Sequence, residues 1–153
     1  MTVSSQNQIQ IQGFLNIESN TILIKQKITY YNNSNSSLSQ LYFNDWGSSF
    51  SNPDSPLSKR FVEEYDGSLL NPRKKNRGFT TIHSVENEKQ KALSYSYIEN
   101  QCDLFKIELT TDLLPFTSTT IFIEYTLQIQ SDRFTKYGVT KNGDYFLNYW
   151  YIT

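Results

Sequence analysis

The 153-residue sequence is poor in several residues on which common protein chemistries depend. Its single cysteine, Cys102, excludes an internal disulfide bond. Its single histidine, His83, is too few for the usual zinc sites, which combine two or three histidines with a carboxylate or with thiolates. The six glycines are scattered singly, so the chain lacks a glycine-rich phosphate loop. We therefore do not expect this chain by itself to form a zinc site, an internal disulfide bond or a nucleotide-binding phosphate loop.

Charge of one sign and long apolar runs are also lacking. Fourteen basic and fifteen acidic residues leave a net charge of −1, too little to hold a phosphate backbone or an anionic membrane. Apolar runs stop well short of the roughly 20 residues that span a bilayer. Residues 1–8 have neither the basic nor the apolar region of a secretory signal. We expect no nucleic-acid partner and no membrane; the missing signal favours the cytoplasm but leaves the compartment open.

Aromatic residues, in contrast, are plentiful, with eleven tyrosines and ten phenylalanines, and this bias favours strands over helices. Apolar and polar residues alternate along much of the chain, which is the period of a half-buried strand. The predicted strands cover residues 9–17, 22–30, 38–46, 79–85, 92–98, 104–110, 119–130, a run ending near 139, and 145–152. Turn chemistry at Glu18-Ser19-Asn20 and Asn142-Gly143 predicts two hairpins.

One helix is predicted in the segment between the third and fourth strands. Ser55 offers an N-cap and Pro56 suits the first helical position. Leu57, Phe61 and Tyr65 would share an apolar face, and Asp66-Gly67 would end the helix. The sequence thus predicts one domain over residues 1–153. Its fold is mostly β: an antiparallel β-sandwich or saddle-shaped sheet of about eight to nine strands with one short surface helix.

The candidate catalytic residues lack supporting motifs. A nucleophilic site would have to join His83 to Ser84 or Cys102, and no nucleophile elbow accompanies them, so His83 is interpreted as a satisfied strand histidine and Cys102 as a partly buried strand residue. Two further charged clusters are present. One is acidic and consists of Glu63, Glu64 and Asp66; the other is the basic run 73–77. The first is interpreted as a solvated helix face beside Lys59 and Arg60, and the second is too short for a nucleic-acid surface. No catalytic, cofactor-binding or metal-binding residue is assigned.

Five segments resemble a known family. They are Leu41-Tyr42-Phe43-Asn44-Asp45-Trp46, Ser55-Pro56-Leu57, Arg60-Phe61-Val62-Glu63-Glu64-Tyr65, Asp132-Arg133-Phe134-Thr135-Lys136-Tyr137-Gly138 and Leu147-Asn148-Tyr149-Trp150-Tyr151. Together they resemble the N-terminal domain of bacterial zinc metallopeptidases of the aminopeptidase N type, in the gluzincin family. The resemblance covers about residues 20–153. It implies a β-sandwich or saddle-shaped sheet that packs on a thermolysin-like catalytic domain following it in the chain.

The departures from this family concern its chemistry. The family's zinc-binding H-E-x-x-H helix needs two histidines, whereas this sequence has one. No family site residue can be carried over, because those motifs lie beyond such a domain's last strand. The segment from Asp45 to Glu88 is also longer than in better-known members. The resemblance therefore implies that zinc and cleavage belong to the downstream catalytic domain.

Two functions follow as hypotheses. The first is a non-catalytic N-terminal domain of a longer, aminopeptidase-like zinc metallopeptidase, which braces the catalytic domain and walls one side of the peptide cleft. Its partner would be the catalytic domain, and peptide substrate would be contacted only indirectly. The alternative is a stand-alone β-sandwich that binds carbohydrate or protein through exposed aromatic residues such as Trp46 and Trp150.

Overall fold

Residues 6–153, the part of the chain that the computed structural model describes, form nine strands, one α-helix and two 3-10 helices. The strands are β1 (Gln8–Asn16), β2 (Thr21–Tyr31), β3 (Leu38–Asn44), β4 (Phe79–Asn87), β5 (Tyr95–Ile98), β6 (Gln101–Leu113), β7 (Ser118–Gln128), β8 (Gly138–Val139) and β9 (Tyr145–Phe146). Helix α1 spans Pro56–Glu63, and the 3-10 helices span Trp46–Phe50 and Lys74–Asn76. Residues 1–5, part of the segment inspected for a secretory signal, lie outside the described residues.

Two antiparallel sheets enclose the core. The larger has the order β1-β2-β7-β4 and the smaller has the order β3-β6-β5, while β8 and β9 form a separate two-stranded ribbon. Apolar side chains from these two sheets pack in one buried cluster. Examples are Ile24 and Ile123 from the larger sheet and Phe43 and Phe105 from the smaller one. The predicted antiparallel, mostly β fold with one helix is confirmed. Among residues 6–153, no helix is long and apolar enough to cross a membrane.

Strand β7 is the centre of the larger sheet, since it pairs with β2 on one side and β4 on the other. Its alternation is the clearest in the sequence, and every second residue is buried as predicted. The buried positions are Ile121, Ile123, Tyr125 and Leu127, and Ile129 continues the pattern just beyond the strand. Here binary pattern and burial agree because one face lies on the core.

Helix α1 begins where the sequence predicts and ends sooner. The Ser55 hydroxyl accepts a hydrogen bond from the Ser58 N–H at 3.1 Å, as an N-cap does, and Pro56 opens the helix. Leu57 and Phe61 are half-buried. Tyr65 does not extend this apolar face: it lies beyond the helix, fully exposed, at a left-handed φ of 63°. The turn at Tyr65 ends the helix before Gly67.

Several predicted strands are shorter in the structure. Strand β3 ends at Asn44 because the Asp45 carboxyl group accepts from the Ser48 N–H and caps a 3-10 helix. Strand β5 starts at Tyr95, and Ala92 makes an isolated bridge with Glu86. The last predicted strand keeps two residues, 145–146. The turn before it is not the predicted type I′ turn, since five residues separate β8 from β9 and Gly143 has positive φ whereas Asn142 does not.

Strand β1 differs most from its predicted environment. Its pairing with β2 sets Ile9 opposite Ile28 and Leu15 opposite Ile22, so these side chains point toward the core side of the sheet. Nevertheless Ile9 is 42% exposed, Leu15 48% and Ile17, one residue beyond the strand, 69%. The prediction of a half-buried strand is wrong here. As the edge of the four-stranded sheet, β1 is left uncovered by the three-stranded one.

Gly47 allows the first 3-10 helix to lie against the larger sheet. A Cβ at this position would collide with the Leu127 side chain and the Thr80 hydroxyl. We expect Gly47→Ala to lower the free energy of unfolding by about 1–3 kcal/mol because the core must shift to admit a methyl group. Gly67→Ala is the matched control, since its Cβ would meet only ordinary contact with Leu70. Urea unfolding of both variants checks this; equal stabilities would contradict it.

Candidate functional site

A cleft of about 470 Å³ opens between the first 3-10 helix, the start of α1 and the C-terminal segment. Five aromatic residues line it, namely Trp46, Phe50, Tyr137, Tyr149 and Trp150, and we call it the aromatic cleft. The Trp46 and Tyr149 rings are in contact, with centroids 5.4 Å apart and planes inclined at 42°. Its volume falls within the range of small-molecule sites.

One wall of the aromatic cleft is positioned by Asp45. This side chain is buried and accepts hydrogen bonds from the Tyr97 hydroxyl at 2.7 Å and the Thr80 hydroxyl at 2.5 Å. Because Tyr97 lies on β5 and Thr80 on β4, one carboxyl group joins the two sheets. The adjacent Trp46 is held further by its indole N–H, which donates to the Thr153 hydroxyl at 3.2 Å. Burial first, and Asp45 second, raise the pKa of Tyr97.

The opposite wall is fixed by a buried chain of hydrogen bonds. The Tyr125 hydroxyl donates to Gln26 Oε1 at 2.6 Å, and Gln26 Nε2 donates to the Ile152 carbonyl at 2.6 Å. The Ile152 N–H donates back to the Tyr125 hydroxyl at 3.1 Å. Burial raises the pKa of Tyr125, so its hydroxyl keeps the proton that it donates. These contacts hold Tyr149 and Trp150, just before Ile152, at the cleft.

Polar side chains also enter the aromatic lining, among them Asp103, Gln130 and Arg60. Asp103 Oδ2 accepts from the Ser49 hydroxyl at 2.8 Å, and no described residue donates to its other oxygen. Gln130 is 8% exposed; among residues 6–153 its amide has no hydrogen-bond partner, and neither amide atom is fully buried. Arg60 forms an ion pair with Glu64 at 3.0 Å. The aromatic cleft thus combines a broad apolar surface with a few polar groups that have unused hydrogen-bonding capacity.

The residues considered for nucleophilic catalysis do not assemble. His83 is exposed on β4, where its Nε2 lies 2.7 Å from the Thr126 hydroxyl, as expected for a satisfied strand histidine. Cys102 is half-buried on β6 and its Sγ lies 3.2 Å from the Ser48 carbonyl. Burial raises the pKa of this thiol, which favours its unreactive form. His83 and Cys102 lie on different sheets with different partners.

Of the two charged clusters, the acidic one lies in solvent and the basic one contributes structural hydrogen bonds. Glu63, Glu64 and Asp66 are exposed, and Glu64 pairs with Arg60 on the same helix, so the interpretation as a solvated face is confirmed. In the basic run, Arg77 donates to the carbonyls of Leu69 and Leu70 and to that of Phe50. These hydrogen bonds from Arg77 hold the loop of the basic run in place. Within residues 6–153, no three His, Cys, Asp or Glu side chains group closely enough to hold a metal ion.

The cleft itself was not predicted. Segments separated by up to about a hundred residues build it, and no local motif marks Asp45, Asp103 or Gln130 in the sequence. One signal of the cleft was present in the sequence. All five segments that carry the family resemblance supply residues that line it. These residues are Trp46, Pro56, Leu57, Arg60, Thr135, Tyr137, Leu147, Asn148, Tyr149 and Trp150. The long Asp45–Glu88 segment provides one wall.

No model of a known protein family matches the chain, and no curated protein matches it.

The raised pKa of Tyr97 gives a pH dependence with a definite sign. An unfolded tyrosine ionises near pH 10, while the folded protein keeps this proton to higher pH. Raising the pH above about 10 therefore stabilises the unfolded chain, and the free energy of unfolding falls. We expect Tyr97→Phe to lower stability by about 1–3 kcal/mol at neutral pH, because Asp45 loses a donor, and to make the alkaline fall shallower.

Urea unfolding at neutral pH and across the range above pH 10 measures both effects. Tyr65→Phe is the control, since Tyr65 is fully exposed and its replacement should leave the curve unchanged. An alkaline slope in Tyr97→Phe that matches the unsubstituted protein would contradict the assignment.

Proposed function

We propose that the chain is a non-catalytic domain that docks on the catalytic domain of an aminopeptidase-like zinc metallopeptidase, braces it and walls one side of its peptide cleft. The observation that carries this proposal is the uncovered apolar face of β1. Ile9 and Leu15, with Ile17 just beyond the strand, point to the core side of the larger sheet and remain open to solvent. Exposed apolar side chains that share one face of an edge strand are a feature of interaction surfaces.

The β1 face continues toward the aromatic cleft. At Gly13, in the middle of the strand, a Cβ would lie 3.7 Å from the Trp150 indole. The Tyr145 hydroxyl donates to Asn20 Oδ1 at 2.6 Å and so holds the β8–β9 ribbon near the β1–β2 turn. An apolar strip therefore runs from β1 to the C-terminal aromatic residues. Burying such a strip against a neighbouring domain is a common form of interdomain contact.

Zinc does not fit the residues of this chain. The single histidine already bonds Thr126, and the described residues include no cluster of metal ligands. The family's metal would thus be held by the catalytic domain, and this chain would contribute surface and rigidity. It would contact a peptide substrate only along a shared wall.

The mass and zinc content of the native protein test this proposal. An antibody against this domain captures the protein from its source, and intact mass spectrometry and metal analysis follow. We expect a mass several times the 17.9 kDa of this chain and about one bound zinc per molecule. A metal-free protein near 17.9 kDa would contradict the proposal.

Leu15→Lys tests the docking face itself in the native protein. Leu15 is half-exposed in this domain, so the substitution should leave the domain folded, whereas a buried lysine would loosen a docked interface. We expect thermal unfolding of the native protein to separate into two transitions. Val62→Lys, at an exposed apolar residue on α1, is the control. An unchanged transition in Leu15→Lys would place the interface elsewhere.

A second function is supported by the aromatic cleft. A concave site lined by aromatic rings and a few polar groups is typical of a ligand-binding module, which could act as a stand-alone β-sandwich. The mass measurement separates the two: a small, metal-free native protein favours the binding module, and a large zinc protein favours the docking domain.

A further inference from the structure

The unpartnered amide of Gln130 is the starting observation. The residue is 8% exposed and lines the aromatic cleft; among residues 6–153 its amide has no hydrogen-bond partner, and neither amide atom is fully buried. Its backbone carbonyl is paired, because Val139 N–H donates to it at 2.8 Å. Because the amide reaches solvent in the cleft and no protein group uses it, a ligand that enters the cleft can hydrogen-bond it in place of water.

The charges around the cleft favour a neutral partner. Arg60 is matched by Glu64, and Asp103 is stabilised by the Ser49 hydroxyl. The lining residues thus carry one charge of each sign, both already provided with an intramolecular contact. A strongly anionic or cationic ligand would find no surplus of opposite charge here.

The polar groups of the cleft also favour a ligand that both donates and accepts hydrogen bonds. The free Asp103 oxygen can only accept while ionised, whereas the Gln130 and Asn148 amides can donate or accept. A purely apolar ligand would strip water from these groups without replacing the hydrogen bonds. A hydroxyl group can pair with a donor or with an acceptor, since it carries one donor and two acceptor positions.

The aromatic rings supply the remaining requirement. Trp46 and Tyr149 form a continuous, partly exposed surface, and Tyr137 adds a third exposed ring. A pyranose ring presents an apolar C–H face to aromatic rings while its edge carries hydroxyl groups. This division of faces matches the division of the lining between aromatic and polar residues.

We infer that the aromatic cleft binds a neutral sugar unit, stacked on Trp46 and Tyr149 and hydrogen-bonded by Asp103 and Gln130. This inference rests on the second proposed function, in which the cleft is a ligand site. It applies equally if the same chain is joined to a peptidase. The volume of about 470 Å³ admits a mono- or disaccharide unit.

Tryptophan fluorescence provides a direct test, because both tryptophans of the chain line the cleft. The probes are glucose, galactose, mannose and N-acetylglucosamine with the disaccharides cellobiose, lactose, mannobiose and chitobiose. Each is titrated into the purified protein, and saturation-transfer NMR identifies bound protons. We expect at least one probe to give a saturable fluorescence change. A panel without any saturable response overturns the inference.

Variants locate the binding. Tyr149→Ala and, at a residue with ordinary backbone geometry, Tyr137→Ala each remove a stacking ring, and either should weaken binding about tenfold or more. Gln130→Met keeps the size of the side chain and removes the amide. It should weaken binding about tenfold while leaving the unfolding temperature unchanged or higher. Tyr65→Ala, at a fully exposed residue away from the cleft, should bind like the unsubstituted protein.

Unweakened binding in both the Tyr137→Ala and Gln130→Met variants would overturn the assigned site. N-acetyl-phenylalanine amide is titrated in parallel, and saturation by this probe in the absence of sugar binding would overturn the sugar assignment in favour of a peptide side chain. Neither outcome bears on the mass and zinc content of the native protein, so failure of this inference and failure of the docking proposal are distinguishable.

Discussion

The buried carboxyl group of Asp45 connects more parts of this structure than any other side chain described above. Its two oxygens accept from Tyr97 on the smaller sheet and Thr80 on the larger one. The same residue ends β3 and caps the 3-10 helix that carries Trp46. A buried acidic group is costly unless it is fully hydrogen-bonded, so this position requires both sheets to be in place at once. The contact therefore couples sandwich assembly to formation of the cleft wall.

A second buried network acts on the other wall by the same principle. Gln26 and Tyr125 belong to paired strands of the larger sheet, and together they satisfy the backbone N–H and carbonyl of Ile152. This explains why the C-terminal segment is irregular after Phe146 although its sequence favours a strand. The backbone groups of Ile152 bond side chains in the core and those of Thr153 bond the backbone of Asn44, so these groups are satisfied without a regular ladder to a neighbouring strand of the larger sheet.

The sequence was informative where the physical cause was local. Alternation identified β7, and the Ser55-Pro56 pair placed the start of α1, because periodicity and capping act over a few residues. The exposure of β1 could not be predicted, since its pattern is that of a half-buried strand and its environment depends on the width of the opposing sheet. The cleft depends on Asp45 and Gln26, whose side chains hydrogen-bond residues far away in the chain. Long-range polar contacts of this kind leave no periodic signal.

The two surfaces differ in the partner that each can accept. The β1 face is apolar, with Leu15 half-exposed and Ile17, just beyond the strand, largely exposed, so it gains free energy from any surface that excludes water, which suits a folded domain. The aromatic cleft contains Gln130 and Asp103, whose unused hydrogen-bonding capacity penalises a ligand without polar groups. Trp150 lies between the two, packed near Gly13 on one side and lining the cleft on the other. Trp150 is thus shared by the two surfaces, and a partner docked at β1 would lie beside the wall that the ligand meets.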